Sequence, residues 1–506
     1  MEVHKVRVHP AAARLPQEAQ LTWKLAAFAV SAADAGVDAD VADMVACRIV
    51  DNAAVALAAI DRPPVAAARA MALAHPRAGG ATLFGLPEST AVHAEWAAWA
   101  NGTAARELDF HDTFLAADYA HPGDNIPPLI AVAQQKGADG ARLLAAIAAA
   151  YEVHVGLVKG ISLHAQRKDH VGHLAPAIAA GLGALLSLEI PVVYHALNQA
   201  VHLAFATRQS RKGQITSWKA SAPAWAGKLA IEAVDRAMRG EGAPNPIYEG
   251  EDGVIAWMLA GRDAEYAVPV PAPGERPRAI LETYPKAHSA EYQAQALIDL
   301  AFELRRRLRP GALARVREIV VHTSHHTHAV IGSGSNDPEK YDPDASRETL
   351  DHSIMYILAV ALEDGRWHHV DSYRPERAHR ESTIALWRKV RTVEDPVWTA
   401  RYHDPDPARR AFGGRVDLTL DDGSVVSAER LVADAHPNGL NPWRWRDYAE
   451  KLAQLTGGLL ARDTREELLR LASRLGQLAP EEVRRLNPAL APGAVMPDRP
   501  DGRGIF

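Results

Sequence analysis

A mainly helical protein, with a large all-helical domain and an inserted smaller α+β lid domain, is what this sequence predicts, from three observations. From about residue 21 to 240 the chain is rich in alanine and leucine, and it breaks into helix-length segments at Pro, Gly and Asp clusters. The glycine- and proline-rich stretches GEGAPNPIYEGEDG and YAVPVPAPGERPR then mark a change, after which β-rich runs appear. Beyond Pro442 charged amphipathic helical patterns return. A chain of 506 residues suits two or three compact units. The expected division is residues 1–265 as the first part of the helical domain, 266–435 as the lid, and 436–506 as a helical segment packing back on the first.

Taken in order, helices are expected over 41–60, 91–110, 141–158, 192–206 and 222–238. ARLLAAIAAAYEVHVGL is apolar around most of its circumference, as suits a helix buried among others. One short helix over 254–259 separates the two loop-like stretches, the second of which reads as a linker. In the lid, ARVREIVVHTSHHTH reads as a strand and RVDLTLDDGSVVSAER as two strands about an Asp-Gly turn. Helices over 290–307 and 352–362 lie between them.

Composition narrows the function classes. Apolar residues make up 48% and charged residues 23%, ordinary for a globular protein, and the net charge of −6 argues against a general nucleic-acid binder. The start carries no signal-like pattern and no window reaches an uninterrupted membrane-span length, so a cytoplasmic enzyme without membrane attachment is the expectation. Cys47 is the only cysteine, which excludes an intramolecular disulfide and an iron–sulfur cluster held by this chain's thiolates.

The stretch RELDFHDTFLAADYAHPGDNIPP holds the densest polar group in the alanine-rich half. With 107–113 helical, Asp109, Asp112 and Thr113 share a face, and Pro122 ends the helix so that His121 arrives from a loop beside it. Asp124 or Asn125 then caps a helix with Pro127 and Pro128 in its first turn. The alternative is a pair of solvated helix-end acids. A basic turn, Arg208, Arg211 and Lys212, followed by Lys219 at a helix start, reads either as a carboxylate or phosphate site or as a solvated turn. His170 and His173 stand three apart, without the carboxylate spacing of a zinc site, and read better as hydrogen-bonded imidazoles. His326 and His328, on a strand, would point the same way, although a loop or lid edge is the safer reading of that cluster. Lys286, His288 and Ser289 precede one helix, and Asp351, His352, Ser353 and Tyr356 open another. There His352 and Tyr356, four apart, would face one pocket, unless the tyrosine is simply core. No serine-hydrolase, P-loop or dinucleotide fingerprint is present.

These stretches together resemble the 2-methylcitrate dehydratase or MmgE/PrpD family, which includes cis-aconitate decarboxylase. The resemblance rests on RELDFHDTF with HPGDNIPP, KDHVGHLAP, RQSRKGQITSWKA, PKAHSAEYQ and DPDASRETLDHSIMYILAVAL, and spans nearly the whole chain. It implies a homodimer with a tricarboxylate site between domains and neither metal nor cofactor. By position it implies catalytic roles for Asp109, Thr113, His121, Lys219, His288 and Tyr356. Arg208, Arg211 and Lys212, with His170 or His173, would bind substrate. Eliminating water from a β-hydroxy acid needs a base, an acid for the departing hydroxide, and cations for the carboxylates. Expected roles are carboxylate binding by Lys219 with Arg211 or Arg208, and proton transfer shared by Asp109, His121 and Tyr356. Dehydration of 2-methylcitrate in propionate breakdown is the first expectation, with citrate dehydration or cis-aconitate decarboxylation as alternatives. A metal-dependent helical diphosphate enzyme, or a helical scaffold, is the reading from another class; it needs a second acid-rich motif that the sequence lacks.

Overall fold

The computed structural model describes residues 2–404, 406–491, 494 and 504–505. Its first half stacks helices on helices: α1 (Leu21–Ala35), α2 (Ala39–Ala58), α3 (Pro63–Leu73), α4 (Ala94–Glu107), α5 (Ile126–Lys136), α6 (Gly140–Gly160), α7 (Val171–Leu185), α8 (Ile190–Ala204) and α9 (Trp218–Met238). Local chemistry explains the ends. The Asp139 side chain caps α6 by accepting from the Arg142 amide at 2.9 Å. Helix α5 carries Pro127 and Pro128 in its first turn and stops at Gly137, whose φ of 66° few other residues tolerate. By length and composition α6 is the one described helix able to cross a membrane, and 83% of its apolar window is buried within the fold.

Residues read as a linker begin instead with a strand. After the short α10 (Val254–Met258), the strand at Glu265–Val270 pairs antiparallel with β1 (Glu2–Arg7), Val268 opposite His4. The alternation YAVPV is what sends Val268 and Val270 into the first apolar core, which also takes in Ile280. The intervening strands β2 (Pro76–Thr82) with β3 (Ala91–Val92), and β4 (Phe114–Leu115) with β5 (Tyr119–Ala120), form two small pairs, making the partner of β1 β6.

A second apolar core gathers Leu297 and Ile298 of α11 (Tyr292–Arg307) with residues of a later helix and a four-stranded sheet. The sheet contains β7 (Val316–Thr323), β8 (Val390–Glu394), β9 (Gly414–Leu420) and β10 (Val425–Arg430), in the order β10-β9-β7-β8. Only β7 and β8 run parallel; the expected Asp-Gly turn joins β9 to β10, with Gly423 at φ 84°. Between β7 and β8 lie α12 (His325–Val330), α13 (Arg347–Leu350), α14 (Ile354–Asp364), α15 (Pro375–Ala378) and α16 (Glu381–Trp387), and α17 (Pro396–Tyr402) follows β8. The strand therefore ends at Thr323, and Ser324 caps α12 by accepting from the Thr327 amide, so His326 and His328 sit on a helix rather than a strand. Helices α18 (Trp445–Leu455) and α19 (Arg462–Ser473) return to the first core, burying Tyr448, Leu452, Leu468 and Leu471 there. The turn of Leu108 and Asp109, the residues just before α11 and the first residue of α13 meet between the two cores.

Candidate active site

The expected helix over 107–113 ends early. Helix α4 stops at Glu107, and Asp109 takes a left-handed conformation at φ 48°, which aspartate tolerates better than most residues. Asp109, Asp112 and Thr113 consequently do not share a helix face. The last carbonyls of a helix need outside donors, and the second half of the chain supplies them. Ser289 Oγ and Arg347 Nη2 donate to the Leu108 carbonyl at 2.6 and 3.2 Å. Lys286 Nζ donates to the Asp109 carbonyl at 3.0 Å and to its Oδ1 at 2.6 Å.

An ionic knot forms around this turn. Lys219, from the first turn of α9, lies 3.1 Å from Asp109 Oδ2 and donates to both carboxylate oxygens of Asp351 at 2.6 and 2.8 Å. Arg347 pairs with Asp351 at 3.1 Å. Burial alone would raise both acids. Lys219, Lys286 and Arg106 outweigh it at Asp109 and hold that carboxyl well below the usual range; Lys219 and His352 bring Asp351 down to about 2. Asp109, Asp351 and His352 could in principle share a cation, but the Lys219 ammonium already stands among them, 3.3 Å from His352 Nδ1.

His121 is held differently. Its Nδ1 lies 3.0 Å from the Asp112 carbonyl, which can only accept, so Nδ1 carries the proton and Nε2 keeps its lone pair. Thr113 Oγ1 braces the same nitrogen at 3.0 Å. Burial, helped by Arg106 and Lys286, keeps the ring well below its ordinary pKa and therefore neutral. Asp112 serves this loop from behind, accepting from the Gly123 amide at 2.7 Å and the Tyr151 hydroxyl at 3.0 Å, with Arg48 3.3 Å away. A Cβ at Gly123 would lie 2.7 Å from Asp112 Oδ1, so the approach requires glycine. Neither expected cap is made: Asp124 turns to His111 at 2.8 Å, and Asn125 donates to the Pro122 carbonyl.

Asp109, His121 and His352 line a narrow cavity with Tyr119, Arg208, Arg211, Glu291 and His326. Three guanidinium groups face it. Arg106 is buried, and its Nε and Nη1 have no hydrogen-bond partner among the described residues. Arg208 donates to the Tyr119 hydroxyl at 3.2 Å, and Arg211 is anchored by Asp169 at 3.3 Å. His170 joins them, with Arg211 Nη2 3.4 Å from its Nε2, and burial lowers its pKa to about 3. A wider groove between residues 9–20 and 244–253 is lined by ionisable side chains none of which is buried.

Four expected site residues lie elsewhere. His173 faces the Ile161 carbonyl at 3.0 Å, and Lys212 donates to the Ser335 carbonyl. His288 is 2.8 Å from Asp299, while Lys286, two residues earlier, reaches Asp109. Helix α14 begins only at Ile354, so His352 precedes it and shares no face with Tyr356. The apolar sequence of α14 buries Tyr356 in the second core, where its hydroxyl donates to the Ser372 carbonyl and its ring packs on Trp387 at 4.9 Å. Arg106, Tyr119, Glu291 and Arg347 escaped the sequence reading. Arg106 and Glu291 look like ordinary helix-end charges, and only tertiary contacts distinguish them.

Residues 23–267 match the family model described as MmgE/PrpD N-terminal domain, and 288–477 match the MmgE/PrpD C-terminal domain. The chain is similar to "2-methylcitrate dehydratase, mitochondrial" of Yarrowia lipolytica, 27% identical over 345 residues, covering 64% of this chain and 63% of that protein. It is similar also to the 2-methylcitrate dehydratases of Cupriavidus necator, at 28% identity over 65% of this chain and 68% of the relative, and of Salmonella typhimurium, at 27% over the same shares. The chain thus spans a little under two thirds of the Yarrowia protein and slightly more of the bacterial ones.

Proposed function

The chain belongs to the MmgE/PrpD family, and we propose that it is a metal-independent hydro-lyase that removes water from 2-methylcitrate. One observation carries this reading: a neutral His121, with its Nε2 lone pair free of the Asp112 carbonyl, lines the same cavity as the half-unpartnered guanidinium of Arg106. Arg106, Arg208 and Arg211 suit substrate carboxylates. His121 Nε2 takes the proton from the carbon next to a carboxylate, and the guanidinium groups stabilise the charge that develops there. The departing hydroxide takes its proton from a side chain, since a single cysteine cannot hold an iron–sulfur cluster.

This revises the roles expected at first. Asp109 stays ionised between Lys219 and Lys286 and sets the shape of the site, Thr113 orients His121, and Tyr356 supports the second core. Residues 266–435 act as a lid on this reading, because Ser289, Arg347 and Asp351 close on the end of α4 and on Lys219. The names of the relatives support 2-methylcitrate as substrate, a cytoplasmic role in propionate breakdown, and secondary use of citrate. Exposed Trp218 and Trp225 on α9 support a homodimer, which sedimentation of the purified protein tests.

Purified protein given 2-methylcitrate, citrate and cis-aconitate separates the activities. The expected result is growing absorbance of an unsaturated product from 2-methylcitrate, unchanged by EDTA. Carbon dioxide released from cis-aconitate, without that absorbance, would instead assign a decarboxylase.

A further inference from the structure

The proposed elimination has a base in His121 but still needs a proton donor for the hydroxide, now that Tyr356 is committed to Ser372 and Asp109 to its lysines. Among the described residues lining the cavity, one carboxyl makes no ion pair: Glu291. It stands at the N-cap of α11, on the wall contributed by the second core, where its Oε2 accepts from the Gln293 amide at 2.7 Å. Its own backbone amide donates to the Asp351 carbonyl at 3.1 Å, tying it to the start of α14. The Gln293 side-chain amide lies against the Glu291 carboxyl; turned to donate to it, that amide accepts from His326 Nε2 at 3.3 Å.

We infer that Glu291 is a further catalytic residue of the proposed reaction, the acid that protonates the departing hydroxide. The inference rests on the dehydratase reading above. His121 Nε2 removes the proton, the C–H electron pair becomes the second bond of the alkene, and the C–O bond breaks with its pair leaving on oxygen. The Glu291 carboxyl proton joins that oxygen, so water departs and leaves Glu291 ionised and His121 protonated. Return of the proton from His121 to Glu291 through solvent, once product has left, restores both.

The electrostatics agree. Burial raises the Glu291 carboxyl to about 7 against the opposing effect of Lys286, while Asp109 adds to the rise, so a large share stays protonated at neutral pH. The other groups around it are Arg106, His121 and His326 on the cavity and Tyr402 beside Gln293. Both histidines are held neutral by burial. Burial raises the Tyr402 hydroxyl, so neither the two histidines nor Tyr402 is poised to give up a proton near neutral pH.

The test is Glu291→Gln, which keeps an oxygen to cap α11, together with Glu291→Asp, each assayed on 2-methylcitrate across pH 6–9 by absorbance. The expected results are a fall in kcat of about 10²–10⁴-fold for Glu291→Gln with KM little changed, and partial recovery in Glu291→Asp. Wild-type kcat should fall as pH rises through about 7, and Glu291→Gln should lack that limb. A purely capping role would lower the melting temperature and leave the pH profile as it was. An active wild type whose Glu291→Gln variant keeps full kcat, or keeps the alkaline limb, overturns the role of Glu291 and leaves the dehydratase standing. A folded wild type inert toward 2-methylcitrate overturns both.

Discussion

Asp109 and His121 come from one short stretch, yet their surroundings are electrostatic opposites. Asp109 sits in a knot of fixed charges, with Lys219, Lys286 and Arg106 around one carboxylate. His121 is a neutral ring set by a carbonyl and a hydroxyl. On the proposed dehydratase reading the difference separates two jobs. Charges that hold the two cores together are saturated by partners and cannot carry protons, whereas the group left to carry one is kept neutral with a nitrogen unspent.

The most disruptive way to break the knot is Lys219→Met. It leaves Asp109 and Asp351 buried with one shared cation fewer, and removing one partner of a buried pair costs about 3–5 kcal/mol. Chemical denaturation should register that loss together with loss of turnover; an unchanged midpoint would mean the knot does not bind the cores.

Acid sharpens the contrast. Burial pushes His154 and His170 to about 3 and His173 to about 4, below the unfolded value near 6.5. Below about pH 6.5 the unfolded chain therefore binds more protons than the folded one, and stability falls as pH drops, by up to about 1.4 kcal/mol per histidine per unit. Asp109 and Asp351, with lowered pKa values, add stability above about pH 4 that is lost only on further acidification. A melting temperature that declines from pH 6.5 to 5 follows; a flat profile there would contradict the neutral histidines.

A smaller effect is expected of Arg106→Gln. Charge-assisted hydrogen bonds contribute about 1.5–3 kcal/mol, so kcat/KM for 2-methylcitrate should fall about 10–100-fold while the fold survives, because Asp109, 3.3 Å from Arg106, keeps Lys219 and Lys286. Smallest is Tyr356→Phe, which gives up one hydrogen bond to Ser372, about 1 kcal/mol of stability, and should leave turnover at the wild-type level. A large loss of kcat there would restore Tyr356 to the chemistry.

The same contrast explains what was legible in the sequence. Helices such as α6 and α9 and the β9–β10 hairpin follow from periodicity and turn residues, and appear within a few residues of expectation. The placement of His121 in a loop was also readable, because Pro122 biases the residue before it away from the helix. The knot was not. Its partners come from four separated places in the chain, and nothing local in PKAHSAEYQ says that Lys286, rather than His288, turns inward. Helix α14 misled for a related reason, since a tyrosine four residues after a histidine shares its face only when both are helical, and Ser353 starts the helix after His352. The early stop of α4 depends on donors from Ser289 and Arg347, more than 180 residues away in sequence.

The role of His121 as the base is tested most directly by kcat of His121→Ala on 2-methylcitrate, measured beside wild type with both proteins shown folded by their melting curves. A fall of about 10²–10⁴-fold is the result it predicts. Turnover equal to wild type would contradict it.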